Sequence, residues 1–200
     1  MDPSHPSVAL REIFGFDAFR PGQADAVRAA IGPPARDVLV VMPTGAGKSL
    51  CYQLPALVRD DVTLVVSPLV SLMQDQVEAL RRVAPGRVAL VSSQRDGADN
   101  RAALRAAADG ELRLLYVAPE RFSSAPFLRA MKDIEIGLFV VDEAHCVSQW
   151  GHDFRPDYFR LADAARRLRA AAIIAATATA PSRWPDRCEA SFSAPLRVPA

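Results

Sequence analysis

Apolar residues in this chain fall into short dense runs, separated by longer stretches in which they recur every three or four positions. The runs at residues 37–42, 63–67, 87–91, 112–117, 136–141 and 172–176 are rich in Val, Ile and Leu, and turn-forming residues close them. Such runs read as strands covered on both faces. Helix-period segments lie between them at 49–58, 71–83, 98–109, 126–133 and 158–169, and another at 21–31 precedes the first run. Strand and helix in strict alternation predict an α/β fold, with a mostly parallel sheet, right-handed crossovers and helices on both faces. No internal repeat or low-complexity linker interrupts the pattern.

In open α/β sheets, ligands collect at the carboxyl ends of the strands. Here Met42, Ser67, Val117, Val141 and Ala176 are each followed directly by a polar or turn-forming tract. Five strand ends with such tracts mark one edge of the sheet as the place to look for chemistry.

Composition narrows the class without naming the activity. Two hundred residues, 50% hydrophobic and 24% charged, are enough for one domain with a substantial core. The N-terminal residues lack the basic and apolar regions of a secretion signal, and no run approaches the length of a membrane span, so the expected compartment is the cytoplasm. Cys51, Cys146 and Cys188 are too scattered for a zinc pattern or a disulfide framework. A formal net charge of +1 means that any nucleic-acid surface must be a local patch. Only Lys48 and Lys132 are lysines among 24 basic residues, which makes the placement of Lys48 conspicuous.

Lys48 lies in Pro43-Thr44-Gly45-Ala46-Gly47-Lys48-Ser49, between the first strand and a helix. Small residues there let backbone N–H groups converge on an anion, and the helix N-terminus adds partial positive charge. Lys48 would reach the β- and γ-phosphates of ATP, and the Ser49 hydroxyl would ligate magnesium. Met42 stands where the general phosphate-loop pattern has its first glycine.

The strand at 136–141 delivers Asp142-Glu143-Ala144-His145 to the same edge. Asp142 would hold magnesium through water, and Glu143 would polarise the attacking water. His145 is a candidate link between nucleotide state and the rest of the domain, or a satisfied surface histidine. Either tract alone is weak, but in this order, each behind a strand, they describe a nucleotide-hydrolysing site.

Several longer stretches carry a resemblance. Residues 14–23 (FGFDAFRPGQ), 42–57 (MPTGAGKSLCYQLPAL), 67–77 (SPLVSLMQDQV), 116–122 (YVAPERF) and 146–156 (CVSQWGHDFRP) resemble successive motifs of the first RecA-like motor domain of RecQ-type DNA helicases. The resemblance includes Met42 and covers about residues 9–180. The tract after the acidic box discriminates most, because RNA helicases share the two boxes but not this continuation.

The resemblance implies a single RecA-like domain of a DNA-dependent ATPase and 3′-to-5′ helicase, acting in recombination and repair on single-stranded or partly duplex DNA. Phe16 would stack on adenine while Gln23 and Arg20 bond its edge, selecting ATP over GTP. Phe16 also reads as a core aromatic. Gln149, Trp150, His152, Phe154 and Arg155 would meet DNA, since aromatic faces stack on unpaired bases irrespective of sequence. Trp150 and Phe154 equally suit loop anchoring. Thr177 and Thr179 resemble the segment that couples hydrolysis to movement, and a plain polar strand end is the other reading. Arg160, Arg166, Arg167 and Arg169 read as a solvated helix face.

Family members complete their ATP site with an arginine from a second RecA-like domain, for which residues 1–180 leave no room. Residues 181–200 contain four prolines and no helix period. They are expected to be an irregular tail, either from a frameshift or truncation after Ala180 or as a disordered terminus. The chain is therefore expected to bind ATP and hydrolyse it poorly. A non-enzymatic, nucleotide-responsive DNA-binding fragment is the alternative.

Overall fold

The computed structural model describes residues 5–32, 34–147, 156–178 and 196–198. Its centre is a parallel sheet of β1 (Val38–Val41), β2 (Val62–Val66), β3 (Val88–Val91), β4 (Leu114–Val117), β5 (Ile136–Val141), β6 (Ala172–Thr177) and β7 (Leu196–Val198). The spatial order is β3-β4-β2-β5-β6-β1-β7, and each adjacent pair is parallel. All six strands expected from the apolar runs are present. The seventh is additional: Leu196–Val198 pairs with Val38–Val40 of β1, inside the stretch expected to be irregular.

The helices are α1 (Pro6–Phe14), α2 (Gln23–Ile31), α3 (Leu50–Val58), α4 (Val70–Val83), α5 (Gly97–Ala108), α6 (Ala125–Ala130) and α7 (Leu161–Arg167). Alternation along each strand sorts side chains into two cores. Val38, Val40 and Met42 join Tyr52, Met73, Val77, Leu138, Val140 and Ile174 on the face that α2, α3 and α4 cover. Leu39, Leu64, Val66, Phe139 and Val141 join Phe122, Phe127, Met131 and Leu161 on the other.

Three departures from the expected helices have local causes. The sequence pattern does not single out α1; Ala9 and Leu10 hold it in a third cluster with Val27, Leu50 and Leu54. Pro6 is tolerated at its first turn, where the missing N–H has no partner to lose. The helix expected at 126–133 tightens into a 3₁₀ turn after Ala130, and the one expected at 158–169 opens with a 3₁₀ turn, Pro156–Arg160. Such turns are common at helix ends. Among the described residues, no helix is long and apolar enough to cross a membrane.

Candidate nucleotide site

β1 is paired on both sides, by β6 and β7, so its carboxyl end is a fixed platform for the loop that follows. Met42 extends that pairing: its N–H donates to the Thr177 carbonyl at 3.1 Å, and it is buried in the core. Extended backbone suits a side-chain-bearing residue, so no glycine is needed where the general pattern has one. The left-handed positions come later, at Gly45 (φ 81°) and Gly47 (φ 84°), where glycine turns the backbone at little steric cost.

The loop is braced from the start of α2. Gln23 is buried, and its Nε2 donates to the carbonyls of Ala46 (3.2 Å) and Gly47 (3.1 Å). Its Oε1 accepts the Arg20 backbone N–H at 2.8 Å. The Arg20 guanidinium donates to the Gly45 carbonyl at 2.8 Å. The two residues expected to bond a purine edge thus contact the phosphate loop itself. Phe16 is exposed and stacks on Phe14, with ring centroids 6.4 Å apart. Thr44 lies on the exposed rim, and Ser49 stands before α3 without capping it.

Lys48 joins the two halves of the site. Its Nζ donates to the Met42 carbonyl at 3.4 Å and lies 3.9 Å from Glu143 Oε1. Glu143 has a left-handed φ of 48°, a strained conformation that the surroundings must hold in place. Its other carboxylate oxygen is 3.2 Å from His145 Nδ1, and the same nitrogen is 3.2 Å from Thr177 Oγ1. A continuous line of polar contacts therefore runs from the phosphate loop through the acidic turn to the end of β6.

Asp142 is placed differently from its neighbour. It is only 7% exposed. Burial first, then the adjacent Glu143 charge, pushes its carboxyl pKa up to about 6, against a pull downward from the Glu143 N–H, Lys48 and Tyr52. Oδ1 accepts the Glu143 N–H at 3.0 Å, and Oδ2 accepts the Tyr52 hydroxyl at 3.4 Å. The Tyr158 hydroxyl donates to the Asp142 carbonyl at 3.0 Å. Sequence reasoning missed Tyr52 and Tyr158. Tyr52 lies 90 residues from Asp142 in the chain, and no local pattern distinguishes a tyrosine with that contact from a core aromatic.

The sequence places Gln149, Trp150, His152, Phe154, Arg155 and Thr179 outside the described residues. The remaining expected residues, apart from Phe16 and the rim residue Thr44, are drawn together around the phosphate loop and the acidic turn.

The family model for DEAD/DEAH box helicases matches residues 20–188. The chain belongs to the DEAD/DEAH box helicase family. Its homologues include RecQ-type helicases. It is 42% identical to the probable ATP-dependent DNA helicase RecS of Bacillus subtilis, over 86% of this chain and 34% of that protein. Identity is also 42% to the ATP-dependent DNA helicase RecQ of the same organism, over 90% of this chain and 30% of the relative. With the mouse ATP-dependent DNA helicase Q5 it is 45%, over 86% of this chain and 18% of the relative. The chain thus spans about a third or less of these relatives' length. Among solved structures, a hypothetical ATP-dependent RNA helicase from Sulfolobus tokodaii superposes with a TM-score of 0.75 at 19% identity, over 98% of this chain and 56% of that one. The helicase MrfA bound to DNA gives 0.73 at 19%, over 99% and 28%. At such identities these two speak for the fold alone.

Proposed function

We propose that this chain is the ATP-binding motor domain of a RecQ-type DNA-dependent ATPase and 3′-to-5′ helicase, working in the cytoplasm on single-stranded or partly duplex DNA. One observation carries the reading: Lys48 and Glu143 meet at 3.9 Å beside a buried Asp142. Two tracts that mean little alone converge at one strand edge.

Residues 1–180 form the proposed domain. Backbone N–H groups of the loop from Thr44 to Ser49 cradle the phosphates, with Gly45 and Gly47 supplying the turns. Lys48 neutralises the terminal phosphates. Glu143 orients a water and accepts its proton, and its strained backbone fixes the carboxylate for that task. Gln23 and Arg20 hold the loop and, with Phe16, read the base. A contact line through His145 and Thr177 carries the state of the phosphates toward the last strand, with Thr179 beyond it. Gln149, Trp150, His152, Phe154 and Arg155 hold DNA in this reading.

The residues present suit a magnesium ion. Asp142 is a carboxylate in a low-dielectric position, short of compensating charge, and the Ser49 side chain makes no cap to its own helix. These two would hold the ion, which when bound supplies charge neutralisation on the phosphates. A second RecA-like domain, supplying an arginine across the cleft, completes the site in this proposal.

The test is ATP hydrolysis by the chain with and without single-stranded DNA, with Lys48→Ala as control. DNA-stimulated turnover that the substitution abolishes supports the reading. Intact nucleotide binding with no turnover places the missing catalysis in the second domain. Nucleotide-dependent DNA binding that survives Glu143→Gln unchanged, again without turnover, favours the non-enzymatic fragment. Preference for RNA over DNA would overturn the RecQ-type assignment.

A further inference from the structure

Among the described residues, only Glu143 and Arg169 are non-glycine residues with a left-handed φ, 48° and 54°. Arg169 is exposed just past the end of α7, where such a turn is ordinary. Glu143 is different, because it carries the carboxylate that faces Lys48. A side chain in this region costs free energy and persists only where the surroundings over-determine it. The contacts around the Asp142–Glu143 peptide show what does so.

That peptide is held at both of its polar ends. Its carbonyl, on Asp142, accepts the Tyr158 hydroxyl at 3.0 Å, and its N–H, on Glu143, donates to Asp142 Oδ1 at 3.0 Å. Turning the peptide plane changes ψ of Asp142 and φ of Glu143 together, so bonds at both ends fix both angles. The next carbonyl, on Glu143 itself, accepts the Cys146 N–H at 2.9 Å, which closes the turn behind it. Sheet pairing stops just short of this peptide: the Asp142 N–H still donates to the Val66 carbonyl, but β5 ends at Val141. Tyr158 is 2% exposed and sits in the core on the face of the sheet opposite α3. Phenylalanine would fill the same apolar space, and burying a phenol hydroxyl is unfavourable unless it finds a partner. The partner here is the carbonyl that sets the orientation of the Glu143 peptide.

We propose that Tyr158 is a positioning residue for Glu143: its hydroxyl holds the Asp142–Glu143 peptide plane, keeps Glu143 left-handed and so aims the carboxylate at Lys48 and the phosphate loop. The inference rests on the ATP-site reading above and adds to it a residue that acts through Glu143. Released from that bond, the peptide is free to turn toward the regions open to any residue, and the carboxylate swings away with it. The direction matters because the carboxylate lies between two partners, with Oε1 3.9 Å from Lys48 Nζ and Oε2 3.2 Å from His145 Nδ1. A rotation about φ moves both oxygens off those positions.

Two measurements on the full chain test the role. The first is independent of ATP. Glycine adopts a left-handed φ without the cost that other residues bear, so Glu143→Gly should melt several degrees above Glu143→Ala. With Tyr158→Phe added to each, the gap should fall by about half or more, because the freed peptide no longer imposes the strain. A gap absent from the start, or unchanged by Tyr158→Phe, overturns the proposal. The second is single-turnover ATP hydrolysis with single-stranded DNA, beside calorimetric ATP affinity. Tyr158→Phe should slow turnover about tenfold or more, with ATP affinity within about twofold. In a Glu143→Gln background it should slow turnover no further, because it acts through that carboxylate. Equal loss in both backgrounds, or unchanged turnover, would make the hydroxyl a packing contact and overturn the proposal. Where the unsubstituted chain shows no turnover, the melting comparison decides alone. If Tyr158→Phe loses its cooperative melt, Tyr158→Met, which fills core space without a donor, is read by the same comparison. Loss of the melt in both overturns a positioning role. An unsubstituted chain that binds no ATP overturns the nucleotide reading itself, whatever the melts show.

Discussion

Asp142 and Glu143 are adjacent carboxylates with opposite requirements, and burial separates them. Asp142 has its pKa pushed to about 6 by burial and by Glu143, from an ordinary 3.8. A carboxyl whose pKa is higher in the folded chain than in the unfolded one adds no penalty below pH 4, where both states are neutral. The penalty grows as pH rises from about 4 to about 6, and is complete above that. Two units correspond to a cost of roughly 3 kcal/mol. Asp142→Asn should therefore raise the melting temperature of the nucleotide-free chain at pH 7.5, on the order of 5–10 °C. The advantage should vanish near pH 4, and differential scanning calorimetry at the two pH values checks it. Glu143→Gln keeps the shape and removes the proposed base, so ATP binding should persist while turnover falls about 10²- to 10⁴-fold. Single-turnover kinetics separates the two. The roles proposed for Lys48, Asp142 and Glu143 rest on the sequence, where each follows a strand in a polar tract, and the structure adds that Lys48 lies 3.9 Å from Glu143. Tyr52 was not legible there, because its partner is 90 residues away and only packing brings them together.

At the level of elements, two glycines decide how neighbouring pieces fit. A Cβ on Gly47 would come within 2.7 Å of Gln23 Nε2, at a φ of 84°. Gly47→Ala should then displace the brace from α2 and strain the turn, at a cost of about 1–3 kcal/mol. ATP affinity, followed by calorimetry, should fall with it. In β5, Gly137 gives the Asp61 carboxylate its space, since a Cβ there would overlap those atoms. Asp61 is ion-paired to Arg59, whose guanidinium also reaches the Ala30 carbonyl at 2.9 Å. The contact ties β5 to the end of α3 and to α2. Gly137→Ala should destabilise the chain by about 1–3 kcal/mol as an overpacking change, and a thermal melt several degrees lower would show it. The strands were readable from apolar runs because a sheet covered on both faces demands them. α1 was harder, because its helical state depends on Leu10 docking against α2 and α3 rather than on its own pattern.

For the molecule as a whole, the candidate site occupies one edge of a single sheet, and the second RecA-like domain proposed above would face it across a cleft. An arginine supplied across such a cleft stabilises charge on the transferred phosphoryl group and can raise turnover by about 10³-fold or more. Joining this chain to the second RecA-like domain of a RecQ-type relative should raise kcat by that order, while ATP affinity changes far less. Steady-state kinetics of the fusion and of the chain alone would test it, and equal kcat values would count against the two-domain reading. The amino-acid sequence by itself determined the α/β class, six of the strands, and the sheet edge and two tracts on which the proposed site is built. These follow from periodicity and from short tracts whose residues act within a few positions of one another. Tertiary structure alone decided that Gln23 and Arg20 brace the loop, that Lys48 faces Glu143, that residues 196–198 complete the edge beside β1, and that the Tyr52 hydroxyl reaches Asp142. Those contacts join side chains or strands far apart in the sequence, and a linear pattern carries no information about which distant groups the packing will place within hydrogen-bonding range.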